Sequence, residues 1–514
     1  MSAGVERPPR VGLGLLKRAA IAAVVVVALS ATAVASAVLF EIDDVKTTFL
    51  KAAGREQIDI PEVTRAEAGA PRTFLILGSD QRYADRKNGR KPRSDTILLV
   101  RVDTDRRRVA VMSIPRDLQV AIPGFGHDKI NAAYEDGGPR LTVRTVRRLF
   151  QDGTGKPFPI NNVVNVNFGG FRRAVDYIGG IYVDIDRRYF NDNSGAAPGQ
   201  GYATIDIQPG YQKLDGKDAL DYVRYRHGDN DFFRAARQQD FLRQVIHQAG
   251  VRKLLDVSKR IKLARIFGRY FEVDRSFRSS KTIISLIKQA LFLTNAHAPV
   301  NEVRFRAHES ANPTVNTNLY VSRSALRRMY AEFMSGKGSL NPRISSKPNA
   351  VDRAFSKLKR KRNKLSSVKG LEEARTEGEN MAVLADPKLN FPYYFPVLRT
   401  VGSRYASSRA RIYGIRDELG RRHQAYRLVL YAGAFGEYYG VQGMTWRQPP
   451  ILDDPDGFRV INGRRLMLFY DGHHLRLVAW RHGRAVYWVT NTLTQSIPNN
   501  QLLAIAGSLT HLRQ

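Results

Sequence analysis

The sequence predicts an α/β protein: a sandwich of helices on a mixed central sheet, preceded by an N-terminal transmembrane helix and followed by a smaller C-terminal α+β domain. Three observations carry this. Short apolar runs alternate with stretches of helical spacing from Thr73 to Ile185, which is how sheet and helices share one core. Two of the runs, Thr96–Val102 and Arg108–Ile114, are joined by too few residues for a crossover, so they form an antiparallel hairpin inside the alternation. Near the C-terminus, strand-like runs are separated by Asn462-Gly463, Asp471-Gly472 and His482-Gly483, the turn dipeptides of a meander.

Length and charge bound the rest. A chain of 514 residues exceeds one ordinary core, so two or three domains are expected. The formal charge of +34 ordinarily points to nucleic acid, because Lys and Arg neutralise phosphates and release counterions. The N-terminus argues otherwise. Ala19–Phe40 carries no charged side chain, and about 22 residues at roughly 1.5 Å each span about 33 Å, enough for a bilayer core. Arg7, Arg10, Lys17 and Arg18 precede it and Glu41, Asp43 and Asp44 follow. The positive-inside rule keeps residues 1–18 in the cytoplasm and sends the chain after residue 40 outside. Ala33-Val34-Ala35 and Ala35-Ser36-Ala37 also resemble signal-peptide cleavage sites, but the apolar run is longer than a signal core and favours a retained single-pass cell-membrane anchor. An extracytoplasmic protein has no nucleic acid to meet, and its basic charge suits lipid-linked pyrophosphates, acidic headgroups or wall polymers. Cysteine is absent, which excludes disulfides and thiolate chemistry.

In order, 41–71 reads as a charged stalk. Thr73–Leu77 is a buried strand that delivers Gly78-Ser79-Asp80 at its end, and Gln81–Arg93 is a basic loop. The hairpin runs into Pro115-Arg116-Asp117. Lys129-Ile130-Asn131 leads into a helical stretch, with Pro139–Phe150 apolar at mixed helical spacing. Val163–Val166 is a strand, Phe168–Ile178 a helix ended by Gly179-Gly180, and Ile181–Ile185 a strand. Lys217–Leu220 is a helical lead-in to Tyr222–Phe241. In that stretch Arg224 and Arg226, two apart in a β-favouring run, are expected on one face of a strand. From Asp231 as N-cap, Arg234, Arg237 and Gln238 share one helix face. Ile261–Thr294 is read as core packing, closing a domain of residues 72–335. Residues 336–380, poor in large apolar side chains and carrying Lys357–Arg362, read as a basic flexible linker. Residues 381–514 form the C-terminal sheet-and-helix domain, with a last helix at 499–512 and no catalytic grouping.

The chemistry lies in charge at the element ends. Arginine is a planar five-donor cation, so a cluster of them suits bidentate grip of phosphate or carboxylate. Surface ion pairing with Asp218, Asp221, Asp229, Asp231 and Asp240 is the plainer alternative. Asp80 and Asp95, joined by one loop, bring two carboxylates to strand ends, a donor set that Mg²⁺ accepts. Each aspartate alone also serves as a turn or helix cap, and Arg116 alone as an ion-pair partner of Asp117.

Taken together and in this order, GSDQR, RSDT, SIPRD, KIN, LDGKDALDYVRYR and the following R-x-x-R-Q-Q resemble the LytR-CpsA-Psr family of bacterial envelope enzymes over roughly Arg72–Met334. The resemblance implies an α/β/α sandwich and a Mg²⁺-dependent phosphotransferase. Such an enzyme moves a glycopolymer phosphate from a polyprenyl-pyrophosphate carrier to a peptidoglycan hydroxyl in cell-wall assembly. It implies Asp80 and Asp95 as metal carboxylates, with Arg82, Arg116, Arg224, Arg226, Arg234 and Gln238 around the pyrophosphate. Lys129 and Arg237, from the same motifs, join the expected substrate-binding set. Asp95 is the candidate to assist deprotonation of the acceptor, since neither His127 nor His227 is placed for it. The basic loop Tyr83–Arg93 and the domain after Met381 depart from the family's pattern. A prenyl-pyrophosphate pyrophosphatase and a noncatalytic scaffold for wall polymer or lipid are the alternatives. The Ala-, Arg- and Val-rich composition is compatible with a high-GC actinobacterium, in whose wall arabinogalactan is one candidate polymer among several.

Overall fold

The apolar run after Pro71 folds as β1 (Arg72–Ser79), flanked by β2 (Ser94–Asp103), and β2 turns directly into β3 (Arg108–Ile114) as the predicted antiparallel hairpin. The computed structural model describes residues 44, 47, 48, 51, 60, 61, 63–67, 70–79, 94–194, 203–225, 231–248, 265, 266, 268, 269, 271–279, 282, 285, 300–309, 318–335, 368–433 and 437–512. The predicted anchor Ala19–Phe40 lies outside them. Among the described residues no helix is long and apolar enough to cross a membrane.

After β3 a small hairpin, β4 (Gln119–Ile122) and β5 (Gly126–Lys129), returns the chain to α1 (Ala132–Thr154). Helix α1 starts earlier than the apolar spacing suggests and breaks at Gly137 and Gly138, whose backbone is non-helical, before Pro139 restarts it. Then come β6 (Asn162–Asn167), α2 (Phe168–Tyr177), β7 (Ile181–Ile185), β8 (Tyr189–Asn191), β9 (Ile205–Ile207) and β10 (Gly210–Leu214). Next are α3 (Gly216–Arg224), α4 (Asp231–His247), β11 (Phe271–Val273), β12 (Val300–Glu302), the short pair β13 (His308–Glu309) and β14 (Leu319–Tyr320), and α5 (Arg323–Ser335). The main sheet runs β11-β6-β1-β2-β3-β12. It is mixed: β6 lies parallel to β1 and β12 to β3, while the other neighbours are antiparallel.

Side chains alternate across this sheet, and each face has its own core. Leu75, Leu77, Ile97, Leu99, Ala110 and Met112 pack with Val143, Val146 and Phe150 of α1 and Leu326, Met329 and Phe333 of α5. Leu98, Val100, Val109 and Val111 lie on the opposite face with Leu242 of α4. The result is three layers with the sheet in the middle. The segment Ile261–Thr294 does more than pack: Phe271–Val273 adds the edge strand β11, and Ser285 Oγ accepts from Arg72 Nε at 3.0 Å.

The described residues resume at 368, ahead of the expected boundary at Met381. β15 (Leu371–Glu373) and α6 (Arg375–Ala385) already belong to the C-terminal module, and β15 pairs with β16 (Leu398–Thr400). The module continues as β17 (Arg404–Tyr405), β18 (Arg411–Arg416), β19 (Arg422–Tyr431), β20 (Tyr438–Met444), β21 (Gly457–Ile461), β22 (Arg464–Asp471), β23 (His474–His482), β24 (Ala485–Thr490) and α7 (Asn499–Ser508). Its sheet has the order β17-β19-β20-β24-β23-β22-β21, with β18 also paired to β19, and every pairing is antiparallel.

An antiparallel sheet commonly leaves one face to water, but this one is buried on both. Leu428, Leu430, Leu466, Leu468 and Trp480 pack under α6 and α7. Their alternating neighbours Met467, Phe469, Leu477, Ala479 and Trp488 pack against Tyr182 of β7 and Tyr211 of β10. The second face is therefore covered by the N-terminal domain, which explains why these strands are nearly continuously apolar.

Candidate active site

The end of β1 organises the site. Ser79 pairs with Asn167 of β6 and with Ser94 of β2, so three elements finish or begin together. Between Gly78, opposite Thr96, and Ser79, opposite Ser94, the register slips by one. The unpaired residue of that bulge is Asp95. A bulge bends its strand and re-aims a residue out of the alternation, which suits a functional carboxylate at a sheet end. The β2–β3 pairing ends at Ile97–Ile114, so Asp95 and Arg116 each lie two residues beyond the last pair.

Gly78 is required at this spot because a Cβ there would lie 2.9 Å from Thr96 Cβ. We expect Gly78→Ala to cost about 1–3 kcal/mol, as overpacking does, measured by urea unfolding, with activity falling because the strain falls next to the bulge.

Past β3, the turn Pro115–Leu118 is held by Leu118 N–H on the Pro115 carbonyl at 3.2 Å, and Asn131 N–H donates to the Arg116 carbonyl at 3.3 Å. The β4–β5 hairpin, pairing Gln119 with Lys129, brings the KIN motif back against SIPRD. Asp117 then bridges two cations: its carboxylate lies 3.5 Å from Arg116 Nε and 2.8 Å from Lys129 Nζ. All three side chains are only partly exposed, where Coulomb interactions are stronger than in bulk water.

The third side comes from α2 and α3. Asn167 caps α2, its Oδ1 accepting from Gly170 N–H at 2.8 Å, and Phe168 is the first helical residue. The Arg224 guanidinium stacks over the Phe168 ring at 3.7 Å, a cation–π contact that orients its plane. Here the structure corrects the strand expected around Arg224 and Arg226. Residues 216–224 are helical, with Asp215 Oδ1 accepting from Asp218 N–H at 2.9 Å and Ala219, Leu220, Tyr222 and Val223 buried. The cap and the buried helical face outweigh the β propensity of Tyr-Val. Gly216 lets α3 start against α2, because a Cβ there would collide with the Arg172 carbonyl.

Helix α4 closes the site from the opposite face. Gln238 Nε2 donates to Thr96 Oγ1 at 3.0 Å and to the Val223 carbonyl at 3.2 Å, tying the strand beside Asp95 to the end of α3. It is a positioning residue. Arg234, one turn earlier, is buried.

Arg237 overturns its expected role in binding substrate. It is 0 % exposed. Its Nε donates to the Tyr222 carbonyl at 3.1 Å, its Nη2 donates to the Tyr225 carbonyl, and its guanidinium faces the Tyr189 ring at 5.0 Å. It satisfies carbonyls at the C-terminal end of α3, which no intrahelical donor can reach. We expect Arg237→Met to lose about 1–3 kcal/mol for each carbonyl left unpaired. Thermal unfolding should shift without a selective rise in KM for the carrier.

The structure thus gathers Arg116, Lys129, Arg224, Gln238 and the backbone of Asp95 at one end of the sheet, and turns Arg237 into the core. Asp80, Arg82 and Arg226 lie outside the described residues, as does the side chain of Asp95. The Asp95 bulge and the Phe168 platform escaped the sequence reading. The only signal for the second was Asn-Phe-Gly-Gly after an apolar run, a helix start with an aromatic at its first position.

Residues 37–330 match the profile of the LytR_cpsA_psr family. The polyisoprenyl-teichoic acid–peptidoglycan teichoic acid transferase TagU of Oceanobacillus iheyensis is 30% identical over 270 residues, covering 51% of this chain and 74% of that protein. The corresponding transferase TagT of Bacillus subtilis is 32% identical over 182 residues, covering 34% of this chain and 52% of that protein. A solved structure described as TagT bound to LIIa-WTA is 26% identical, covers 54% of this chain and 95% of its own, and superposes with a TM-score of 0.40.

Proposed function

The chain belongs to the LytR-CpsA-Psr family, and from that premise we propose that it transfers a cell-wall glycopolymer from a polyprenyl-pyrophosphate carrier to peptidoglycan. Relatives named as transferases of teichoic acid from a polyisoprenyl carrier to peptidoglycan support the reaction class. The observation that carries the reading for this chain is the bulge at Asp95, at the sheet end where Arg116 follows β3 and Arg224 stacks on Phe168 of the helix after β6.

The reaction balances as a displacement at phosphorus. A peptidoglycan hydroxyl attacks the phosphorus that bears the glycan, the bond to the bridging oxygen breaks, and polyprenyl phosphate leaves with the electron pair. The hydroxyl proton passes to a base, a role given to Asp95. Negative charge accumulates on the leaving phosphate, so fixed cations near it stabilise the transition state more than the bound substrate. Arg116, Arg224 and Arg234 take that role, together with Arg82 and Arg226. Lys129 holds Asp117, and so Arg116, in place.

Asp80 and Asp95 each follow a member of the paired couple Ser79–Ser94, and two carboxylates fit the oxygen preference of Mg²⁺. When bound, Mg²⁺ would neutralise diphosphate charge that the arginines do not reach. Ala19–Phe40 would anchor the chain beside the lipid carrier, with the sandwich outside the cytoplasm.

The test supplies full-length chain with polyprenyl-pyrophosphate-linked glycan, peptidoglycan fragments and Mg²⁺. Covalent joining of glycan to peptidoglycan is expected, and release of glycan phosphate and polyprenyl phosphate without joining would refute transfer in favour of hydrolysis. Chelation with EDTA should bring joining to background, and added Mg²⁺ should restore it.

A further inference from the structure

Away from the candidate active site, the C-terminal module carries an open groove of about 710 Å³ lined by Arg421, His423, Trp446, Arg447, Gln448 and Arg481 among others. Its size falls within the range of small-molecule sites. Its floor is the half-buried His423 ring, which lies nearly parallel to the buried Trp446 indole beneath, with centroids 6.0 Å apart and planes 19° apart.

One wall is built around Asp417. Its carboxylate accepts from Leu419 N–H and Arg421 N–H at 2.9 Å each and from Arg421 Nε at 2.7 Å, and lies 3.0 Å from His423 Nε2. Burial opposes that charge, but the hydrogen bonds from His423, Arg421 and the loop backbone outweigh it and hold the Asp417 carboxyl well below the usual carboxylate range. Asp417 is therefore consumed in fixing the loop and the His423 ring.

The opposite wall carries positive charge that is not consumed. Arg481 Nε donates to the Arg447 carbonyl at 3.2 Å, which ties the two segments together. Both side chains stay exposed, and neither forms an ion pair with any described residue. Against them stands Glu418 alone at the rim. Two planar cations, one from a loop and one from β23, beside a partly exposed imidazole and the Gln448 amide, suit a ligand that combines a sugar ring with several charged oxygens.

We propose that this groove is a second binding site of the chain, for a saccharide bearing a phosphate, with the sugar against His423 and the phosphate on Arg447 and Arg481. A phosphate presents more acceptor oxygens to two guanidinium forks than a carboxylate does. The site is separate from the transfer chemistry, and its binding is read without turnover, so either reading can fail alone.

The test titrates full-length chain with N-acetylglucosamine 1-phosphate, N-acetylglucosamine and inorganic phosphate, by calorimetry or saturation-transfer NMR. The sugar phosphate is expected to bind at least about tenfold more tightly than either fragment, since joined fragments share one entropic cost. The R447A/R481A double variant, altered only at exposed side chains, should weaken it at least about tenfold, and Arg116→Ala should leave it unchanged. Undiminished binding in the double variant, loss in Arg116→Ala alone, or no preference for the sugar phosphate overturns the proposal.

Discussion

Arg116→Ala is expected to lower glycopolymer transfer by a factor of about 10² to 10³, the loss of about 2.7–4 kcal/mol typical of removing one preorganised donor from a developing anion. The fold should survive, because Arg116 is half-buried at the end of β3 and its carbonyl, which receives Asn131 N–H, remains. Its side chain lies 3.5 Å from Asp117, whose carboxylate still pairs with Lys129 at 2.8 Å. The structural cost is therefore of the order of a partly exposed ion pair, about 0–1 kcal/mol. The transfer assay with matched urea unfolding separates the two effects. A fall in rate that merely follows a fall in stability would show that Arg116 supports the turn rather than the reaction. Arg116→Lys should recover only part of the rate, since an ammonium cannot reproduce the planar fork.

Arg427→Ala is expected to cost about 3–5 kcal/mol of stability, the usual result of leaving a buried charge without its partner. Arg427 is 1 % exposed and Asp184 is 8 % exposed. They meet at 3.0 Å across the contact between the C-terminal sheet and β7, where Trp488 Nε1 also donates to Asp184 at 2.8 Å. The indole N–H cannot replace a full charge, so Asp184 would take up a proton or the contact would open. Opening would expose Tyr182, Tyr211 and Trp488, which share one apolar cluster. Limited proteolysis should then separate the C-terminal module from the N-terminal domain, together with an earlier unfolding step. The double substitution Asp184→Leu with Arg427→Met should recover most of the loss, because apolar side chains of similar volume pack there without a desolvation cost. If Arg427→Ala alone left unfolding unchanged, the two domains would be held by apolar contact only.

A second buried ionic group reinforces the same contact. Arg243 of α4 pairs with Asp240 at 3.0 Å, with Glu302 of β12 and with Asp471 of β22 at 3.1 Å. Glu302 N–H also donates to Asp471 Oδ1 at 2.8 Å. Helix α4 therefore faces the active-site strands through Gln238 and the C-terminal module through Arg243, two positions on one rigid element.

Much of this protein was legible from local pattern. Apolar runs marked β1, β2, β3 and β6 of the main sheet and β19, β22, β23 and β24 of the C-terminal one, and the short connection after Val102 marked the hairpin. These are properties of neighbours in sequence, fixed by backbone geometry and hydrophobicity before any long-range contact forms. The tertiary structure alone decided whether Tyr222–Arg224 is strand or helix, that Asp95 sits in a bulge, that Arg237 serves the core while Arg224 stays at the edge, and that the C-terminal sheet buries its second face. Each of those depends on partners distant along the chain, such as Thr96 for Gln238 and Asp184 for Arg427. A guanidinium carries the same five donors wherever it stands, and only the packing around it determines whether they meet a backbone carbonyl, a carboxylate or a ligand.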